Sequence, residues 1–322
     1  MSTDLDISSL TVDAVGRARV AAHEDRERTY LGASIIGDPC WRKLWYLFRW
    51  AYEPEEFDAR MLRLFETGHI EEARMVADLR ASGVSIWDLD PKTGEQWAIS
   101  DIGGHFCGHT DGVGKRIHEA PKEPHLLECK SHNDDSFRQL LKLCVEKSKP
   151  VHYAQMQIYM HYMRLSRALY YAVNKNDDAE YSERVPYDQI CAARLISKAR
   201  TIITAERPPQ KLHSDPNAKM ARIDCACCSV REGCQEGAWA RRNCRTCLHS
   251  TPMLDGDARW HCERHDHDLT REDQEVGCSA HLYIPELVPG EQIDADPVAE
   301  WVDYVIADGV IWRDGADATP NP

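Results

Sequence analysis

The stretch HLLECKSHND, residues 125–134, places a glutamate and a lysine two positions apart at the end of a short apolar run. Side chains two residues apart in a β-strand lie on the same face of the sheet. Glu128 and Lys130 are therefore expected to project together, while Cys129 points to the opposite face. For a lone Glu-x-Lys pattern, a surface ion pair on an edge strand is the more common explanation, so the pattern alone indicates little.

The composition of the 322-residue chain is that of a globular protein with 43% hydrophobic residues, long enough for one large domain or two smaller ones. No apolar run is long enough to span a bilayer, and the first residues lack the order of a signal peptide. These features predict a cytoplasmic protein with no membrane partner. In that setting the 13 cysteines indicate metal binding rather than disulfides.

The net charge of −14 is unevenly distributed. From Glu286 onward there are nine acidic residues and one arginine, so this segment carries −8 of the total. An acidic chain disfavours a nucleic-acid partner unless a local basic groove exists. Candidate DNA-binding residues for such a groove are Arg42, Lys43, Arg138 and Lys142. Solvated helix faces are the alternative explanation of these basic runs.

Apolar periodicity predicts an α/β core over residues 31–206. Helices are expected at 40–50, 59–83, 135–147, 151–165 and 189–206, and strands at 84–89, 95–101, 105–114, 125–131, 168–175 and 181–187. Residues 1–30 form a polar N-terminal segment, expected to be poorly ordered at first and then helical.

The sequence after the core divides into three further segments. Residues 207–240 and 241–285 are cysteine-rich, polar and loop-like, and 286–322 form an acidic C-terminal tail. Within that tail, residues 301–315 alternate apolar and polar side chains around Asp308-Gly309, which predicts a hairpin.

Asp111 precedes a glycine in the predicted strand 105–114, where a hairpin would bring its carboxylate to Glu128. Two carboxylates held close together favour a cation between them, and oxygen ligands suit Mg²⁺ or Mn²⁺. His69, on the predicted helix 59–83, is a candidate imidazole ligand, although a helical histidine is also an ordinary surface or core residue. Gln155 and Tyr159 share one helical face that would look onto the site, although such spacing is also typical of core packing.

Taken in chain order, these motifs resemble the PD-(D/E)XK nuclease superfamily, in its RecB-like exonuclease branch. The resemblance covers about residues 30–206 and rests on His69, Asp111, Glu128, Lys130, Gln155 and Tyr159. The first motif reads HTDGV, with His-Thr where the superfamily name has a proline. The resemblance implies a small mixed sheet flanked by helices. It also implies one or two divalent ions held by the acids, with the lysine positioning or deprotonating the attacking water.

The stretch IDCACCSVREGCQEG, residues 223–237, contains Cys225, Cys228 and Cys234, with Cys227 as an extra thiol. Three closely spaced thiolates suit zinc or an iron–sulfur cluster. CWRKLWYLF at 40–48 resembles the Cys-Pro-Arg-Lys start of the CRISPR-associated Cas-four family and of AddB-type nuclease subunits. That resemblance implies that Cys40 joins the three later cysteines around a 4Fe-4S cluster of structural role. In the alternative, Cys40 is a buried apolar residue and the later cysteines bind zinc with Cys227.

A second cysteine set has the spacing of a structural zinc ribbon, in a polar segment with little apolar content of its own. Its members are Cys244, Cys247, Cys262 and Cys278, with His249, His265 and His267 as rival ligands. The remaining cysteines, which lie in apolar surroundings, are expected to be buried small side chains; they are Cys107, Cys129, Cys144 and Cys191.

The resemblance implies a divalent-metal-dependent DNA exonuclease that acts on single strands or ends, with 5′ to 3′ polarity common in the family. Recombination, repair, phage and CRISPR DNA processing all fit, and a DNA-processing protein is a possible partner. The alternative is a non-catalytic DNA-end-binding or scaffold protein with structural Fe-S and Zn sites. A redox role for the cluster is a third hypothesis, which no flavin or dinucleotide motif supports.

Overall fold

The computed structural model describes residues 9–23 and 27–315. Its α-helices are α1 (Leu10–Ala22), α2 (Trp41–Phe48), α3 (Ala59–Ala81), α4 (Asp134–Ser148), α5 (Pro150–Met163), α6 (Gln189–Thr204), α7 (Lys219–Asp224) and α8 (Arg271–Val276). Its first eight strands are β1 (Leu31–Gly32), β2 (Ser85–Trp87), β3 (Ala98–Asp101), β4 (Phe106–His109), β5 (Val113–Lys115), β6 (His125–His132), β7 (Arg167–Asn174) and β8 (Glu180–Pro186). The later strands are β9 (Ser250–Pro252), β10 (Trp260–Cys262), β11 (His267–Leu269), β12 (Glu291–Asp296), β13 (Trp301–Val305) and β14 (Ile311–Gly315).

Helices α2 to α6 confirm the five helices predicted from apolar spacing. The N-termini of α2, α3, α4 and α6 are fixed by side chains that accept the first free backbone N–H groups, whereas α5 begins with Pro150. Asp58 accepts from the Met61 N–H at 2.7 Å at the start of α3, and Asn133 accepts from the Ser136 N–H at 2.9 Å at the start of α4. The helix expected within the first 30 residues is α1. The expectation of poor order for the first residues falls on 1–8, outside the described residues.

The central sheet has the strand order β2-β5-β6-β7-β8. Strands β6 and β7 run parallel, and the other neighbouring pairs are antiparallel. A parallel pair needs a long crossover connection, which α4 and α5 supply. The prediction of an α/β core with a small mixed sheet flanked by helices is confirmed.

The two faces of β6 belong to different layers. Leu127 and Cys129 pack with Met75 and Leu79 of α3 in one apolar cluster, while Leu126 joins the main core with α5. This alternation follows from the two-residue period of a strand. Glu128 and Lys130 therefore share one face of β6 and Cys129 lies on the other, as predicted.

The single strand predicted for residues 105–114 is wrong. Strand β4 belongs to a separate sheet of order β1-β4-β3, and β5 belongs to the central sheet. The chain changes sheet at Gly112, where φ is +138° and an added Cβ would lie 2.7 Å from the Trp87 carbonyl oxygen. A glycine tolerates both conditions, so the chain turns directly after Asp111.

The cysteine-rich region is more regular and more buried than the loop-like prediction. It contains α7, α8 and an antiparallel sheet of order β11-β10-β9. Trp260 of β10 is fully buried and belongs to the main core cluster together with Phe48 of α2. This region packs against the α/β core because its few large apolar side chains point toward α2.

The predicted hairpin is present as β13 and β14, whose pairing sets Val305 opposite Ile311. The sequence did not reveal β12, which completes a three-stranded antiparallel sheet. Tyr304 and Trp312 of this sheet are buried in the main core cluster. Residues 291–315 therefore form a folded sheet rather than an extended tail, and residues 316–322 lie outside the described residues.

All 13 cysteines lie among the described residues, and each is a free thiol. Of the four predicted to be buried small side chains, Cys129 is buried. Cys107 and Cys191 are half-buried and Cys144 is exposed, which corrects the prediction for these three. Cys144 is exposed because it lies at a kink in α4, where φ is +59°. No helix in the described part of the chain has the length and apolar character needed to cross a membrane.

Candidate active site

Asp111 lies between β4 and β5, and the antiparallel pairing of β5 with β6 brings it beside the Glu-x-Lys pair. Val113 is opposite Leu126 in this pairing. The Asp111 Oδ2 atom accepts the Cys129 N–H at 2.8 Å, which fixes the carboxylate against β6. The predicted approach of Asp111 to the strand that carries Glu128 is thus present in the structure.

Lys130 lies between the two carboxylates. Its Nζ is 2.6 Å from Glu128 Oε1 and 3.6 Å from Asp111 Oδ2, and it donates to the Cys129 carbonyl at 3.0 Å. Burial alone would lower the pKa of Lys130, but the neighbouring carboxylates outweigh it, so the pKa is raised. The two carboxylates therefore favour the protonated form of Lys130, which donates hydrogen bonds at this position.

Glu128 is completely buried. Burial raises the pKa of its carboxyl, Lys130 opposes the rise and the Asp111 carboxylate adds to it, with a net pKa of about 7. The Oε1 atom is ion-paired with Lys130 but lacks a partner in hydrogen-bond geometry. A buried carboxylate with unused acceptor capacity next to a second carboxylate is a site that a cation would stabilise.

Gln155 and Tyr159 of α5 cover the acid pair from the helix side. The Gln155 Nε2 donates to Glu128 Oε2 at 3.3 Å, which orients the buried carboxyl. Burial raises the pKa of the Tyr159 phenol, and the carboxylates of Glu128 and Asp111 raise it further. The tyrosine reaches this position because Gly108 of β4 has no side chain: a Cβ there would lie 2.7 Å from the Tyr159 Oη.

His69 and Glu72 of α3 line a cavity of about 610 Å³ with Cys129 and Lys130. His69 is exposed and Glu72 is half-buried. Burial raises the pKa of Glu72, and the Asp111 carboxylate adds to this while Lys130 and His69 oppose it. The sequence analysis missed Glu72. Its three-residue spacing from His69, which puts both on one helix face, was the available signal.

The four basic residues predicted to bind DNA do not form one groove. Arg42 donates to the Tyr46 Oη at 2.7 Å and to the Pro209 carbonyl at 2.9 Å. Lys43 is 2.8 Å from Asp38 Oδ2. These two side chains are engaged within the protein, because both lie where α2 meets neighbouring segments.

Arg138 and Lys142 lie on a different surface, the exposed face of α4. Arg138 pairs with Asp134 at 2.5 Å, one helical turn earlier. Their role in DNA binding stays a prediction.

Electrostatic effects link Cys40 and Cys228 to Cys225 and Cys234, the other two cysteines that the resemblance assigned to an iron–sulfur cluster. Cys40 begins α2, where its Sγ accepts the Lys43 N–H at 3.4 Å. Burial raises the pKa of Cys225 and of Cys234, and in both cases the nearby Cys40 and Cys228 add to the shift. These effects do not arrange the four sulfurs as a metal site. Cys227 is exposed, which separates it from this set.

Cys244, Cys247, Cys262 and Cys278 line one small cavity of about 10 Å³. Burial raises the pKa of Cys244 to about 12, and the other three thiols contribute to the rise. Backbone N–H groups of Leu282 and His249 donate to the Cys247 sulfur.

The histidines near this cavity differ in whether they line it. His249 and His265 line it, and the His265 Nε2 is 3.8 Å from the Cys278 Sγ. His267 is exposed on β11 and is absent from the lining. His281, which the sequence analysis did not single out, is buried there with its Nε2 3.2 Å from the Thr246 Oγ1.

As the side chains stand, no three His, Cys, Asp or Glu residues within 9–23 and 27–315 are arranged to hold a metal ion. Neither cysteine set is therefore arranged as a metal site in this structure. The carboxylates of Glu128 and Asp111 are instead paired with Lys130.

No protein-family model and no curated protein matches the sequence. Solved structures that are similar include SSO0001, with 14% identity, a TM-score of 0.41, and coverage of 70% of this chain and 97% of that one. An alkaline exonuclease (LHK-Exo) from Laribacter hongkongensis has 15% identity and a TM-score of 0.38, covering 59% of this chain and 90% of that one. The same enzyme in complex with dAMP gives 14% identity and a TM-score of 0.39, with the same coverage. Similarity at this level does not establish a shared activity, so function has to be argued from the site.

Proposed function

We propose that this protein is a divalent-metal-dependent deoxyribonuclease that hydrolyses phosphodiester bonds in single-stranded DNA or at DNA ends. The observation that carries the proposal is the position of Lys130 between Glu128 and Asp111, 2.6 and 3.6 Å from their oxygens. An exonuclease with 5′ to 3′ polarity, in the cytoplasm and in recombination, repair or phage or CRISPR DNA processing, is the specific form we favour.

The donor set of the acids fits a hard divalent cation. Asp111 and Glu128 would hold Mg²⁺ or Mn²⁺, with Glu72 and His69 as the neighbouring groups on α3. When bound, the ion would lower the pKa of a water and stabilise charge on the scissile phosphate. The completely buried Glu128 carboxyl, with one oxygen lacking a hydrogen bond, supports this assignment.

The protein groups then have separate tasks. Lys130, whose pKa the two carboxylates raise, would donate a hydrogen bond to the attacking water or to a phosphate oxygen and stabilise the developing negative charge. Gln155 holds the Glu128 carboxyl in orientation. Tyr159, with its raised pKa, stays a neutral donor against the acid pair.

Two structural metal groups complete the proposal. The set Cys40, Cys225, Cys228 and Cys234 would hold a 4Fe-4S cluster, which joins the start of α2 to the segment after the core. The set Cys244, Cys247, Cys262 and Cys278 would hold zinc. Four thiols around one small cavity, with backbone N–H groups donating to a sulfur, favour this second assignment. Iron, sulfide and zinc analysis after anaerobic purification, on wild type, Cys40→Ser and Cys247→Ser, tests both.

The nuclease proposal is tested by digestion of end-labelled single-stranded DNA with Mg²⁺ or Mn²⁺. We expect wild type to release short products, and Asp111→Ala and Lys130→Ala to be inactive while they remain folded. Digestion that is unchanged in both variants would overturn the proposal. Binding of DNA ends by a wild type that does not cleave them would favour the non-catalytic scaffold.

A further inference from the structure

We propose that the wall of the cavity beside Lys130 is a base-stacking site for unpaired nucleotides, built from Phe57 and Phe65 and continued toward the cysteine segment by Arg28 and Tyr30. The inference rests on the proposed nuclease function and deepens it, because it selects single-stranded over duplex substrate. Neither phenylalanine belongs to the motifs that pointed to the catalytic centre.

The first observation is continuity between cavities. The cavity of about 610 Å³ that contains Lys130 and His69 also has Arg28 and Phe57 in its wall. The same two residues line a second cavity, of about 450 Å³, which extends past Tyr30 to Cys227. A path therefore leads from the catalytic lysine to the segment that carries the three later cysteines.

The second observation is the ring geometry at the entrance. Phe57 and Phe65 meet edge to face, with ring centroids 5.0 Å apart. His23 meets Phe57 on another side at 6.3 Å. Phe65 is 41% exposed and lies in the wall of the cavity that Lys130 lines. An exposed aromatic face next to a nuclease centre is a platform on which a base can stack.

The rings select unpaired bases for a steric reason. In a duplex each base is stacked between its neighbours and its faces are covered, so a protein ring reaches it only after unstacking. In a single strand the faces are free and stacking on a ring is tolerant of sequence. Phe57 and Phe65 would thus bind bases while Lys130 meets the backbone phosphate.

The second cavity also has aromatic side chains and an arginine in its wall. Tyr52 packs edge to face on Tyr46 at 5.0 Å and lies directly against Gly233, which holds this wall close to the cysteine segment. The acidic side chains of the wall are partly neutralised, since Glu27 and Glu53 pair with Arg241 at 2.7 and 3.2 Å. Arg28 is exposed and donates from Nη1 to the Ser34 Oγ at 3.4 Å, so the rest of its guanidinium would meet a phosphate.

The test measures binding of a fluorescein-labelled oligothymidylate of about 12 nucleotides and of a duplex of the same length, by anisotropy, in an Asp111→Ala background without added divalent ions. The variants are Phe57→Leu and Phe65→Leu, which keep apolar volume and remove the stacking face. Ile311→Ala, an exposed apolar residue on the C-terminal sheet, is the matched control. We expect roughly tenfold weaker binding of the single strand for each ring removed, with duplex binding and the control unchanged.

Equal single-strand affinity in both leucine variants would overturn the base-stacking site. Equal loss for single strand and duplex would also overturn it, because it would show a general change in the surface. The two proposals can fail independently. If wild type cleaves DNA but both leucine variants bind single strands normally, only the base-stacking site is ruled out. If wild type binds single strands through these rings but does not cleave them, only the nuclease proposal is ruled out.

Discussion

The guanidinium of Arg245 lies 3.6 Å from the centre of the Trp50 ring, and it is completely buried. It donates to the carbonyls of Phe48 and Thr29 at 2.8 and 3.1 Å. Arg245 lies between Cys244 and Cys247 in sequence, and Phe48 ends α2. One side chain therefore connects the second cysteine set to the helix that Cys40 begins.

Replacing this guanidinium should destabilise the whole protein. Arg245→Ala would leave several buried carbonyls without a donor, and we expect a loss of about 3–5 kcal/mol in the free energy of unfolding. Arg245→Lys should not restore stability, because an ammonium cannot reproduce the planar contact with Trp50 or the separate hydrogen bonds. Urea unfolding followed by fluorescence measures both. A lysine variant as stable as wild type would contradict this role of the guanidinium.

Acid stability should depend on His105. It is fully buried, and its Nε2 lies 2.9 and 3.1 Å from the carbonyl oxygens of Met253 and Arg259. Burial lowers the pKa of His105 to about 4. The unfolded chain binds a proton near pH 6.5 while the folded protein does not, so stability falls as pH falls from about 6.5 to about 4.

His105→Gln keeps a donor but does not titrate. Across this pH window the free energy of unfolding should therefore fall by about 3 kcal/mol more in wild type than in the variant, as measured by urea unfolding at several pH values. The comparison between the two proteins cancels other histidines with lowered pKa values, such as His132 and His152. Parallel stability curves for the two proteins would show that His105 is not the titrating group.

Two glycines near the site should respond in opposite directions to alanine. Gly68 is inside α3 with nothing within 4 Å of an added Cβ, so Gly68→Ala should stabilise the protein by about 0.5–1 kcal/mol. Gly112 has a φ of +138° and the Trp87 carbonyl oxygen 2.7 Å from an added Cβ, so Gly112→Ala should destabilise it by at least about 1 kcal/mol. Thermal unfolding of both variants decides this. A destabilised Gly68→Ala would mean that the α3 environment is tighter than described.

Gln155 should affect turnover more than substrate binding. Gln155→Ala removes the 3.3 Å hydrogen bond to Glu128, and we expect kcat to fall by about 10- to 100-fold with little change in KM. Gln155→Asn, whose amide is one methylene too short to reach, is expected to behave like alanine. Steady-state cleavage of labelled single-stranded DNA provides both constants. A rise in KM at constant kcat would assign Gln155 to substrate contact instead.

The sequence predicted the elements whose pattern is local. Helix α3 and the hairpin around Asp308-Gly309 have clear periods and clear ends, and the same-face relation of Glu128 and Lys130 follows from strand geometry alone. The elements that the sequence did not predict depend on contacts between residues that are far apart in the chain. The division of residues 105–114 between two sheets is decided at Gly112 by its contact with Trp87. Strand β12 is exposed and acidic, so it has no apolar alternation to detect.

Site residues follow the same division. Glu72 enters the site through the packing of α3 near Asp111, and His281 enters the cysteine cavity from a segment with no motif. The basic residues Arg42 and Lys43 have the composition of a DNA-binding segment, yet their partners are Pro209 and Asp38. Spacing along the chain cannot supply these contacts.

The central claim is that Glu128, buried beside Asp111 and Lys130, is part of a metal-dependent nuclease centre. The most direct measurement is the cleavage rate of end-labelled single-stranded DNA as Mn²⁺ is added, for wild type and Glu128→Gln, with the exposed Glu291→Gln as control. We predict metal-dependent cleavage by wild type and the control, and a loss of at least about 1000-fold in Glu128→Gln with its fold intact. Cleavage by Glu128→Gln at the wild-type rate and with the same Mn²⁺ dependence would contradict the claim.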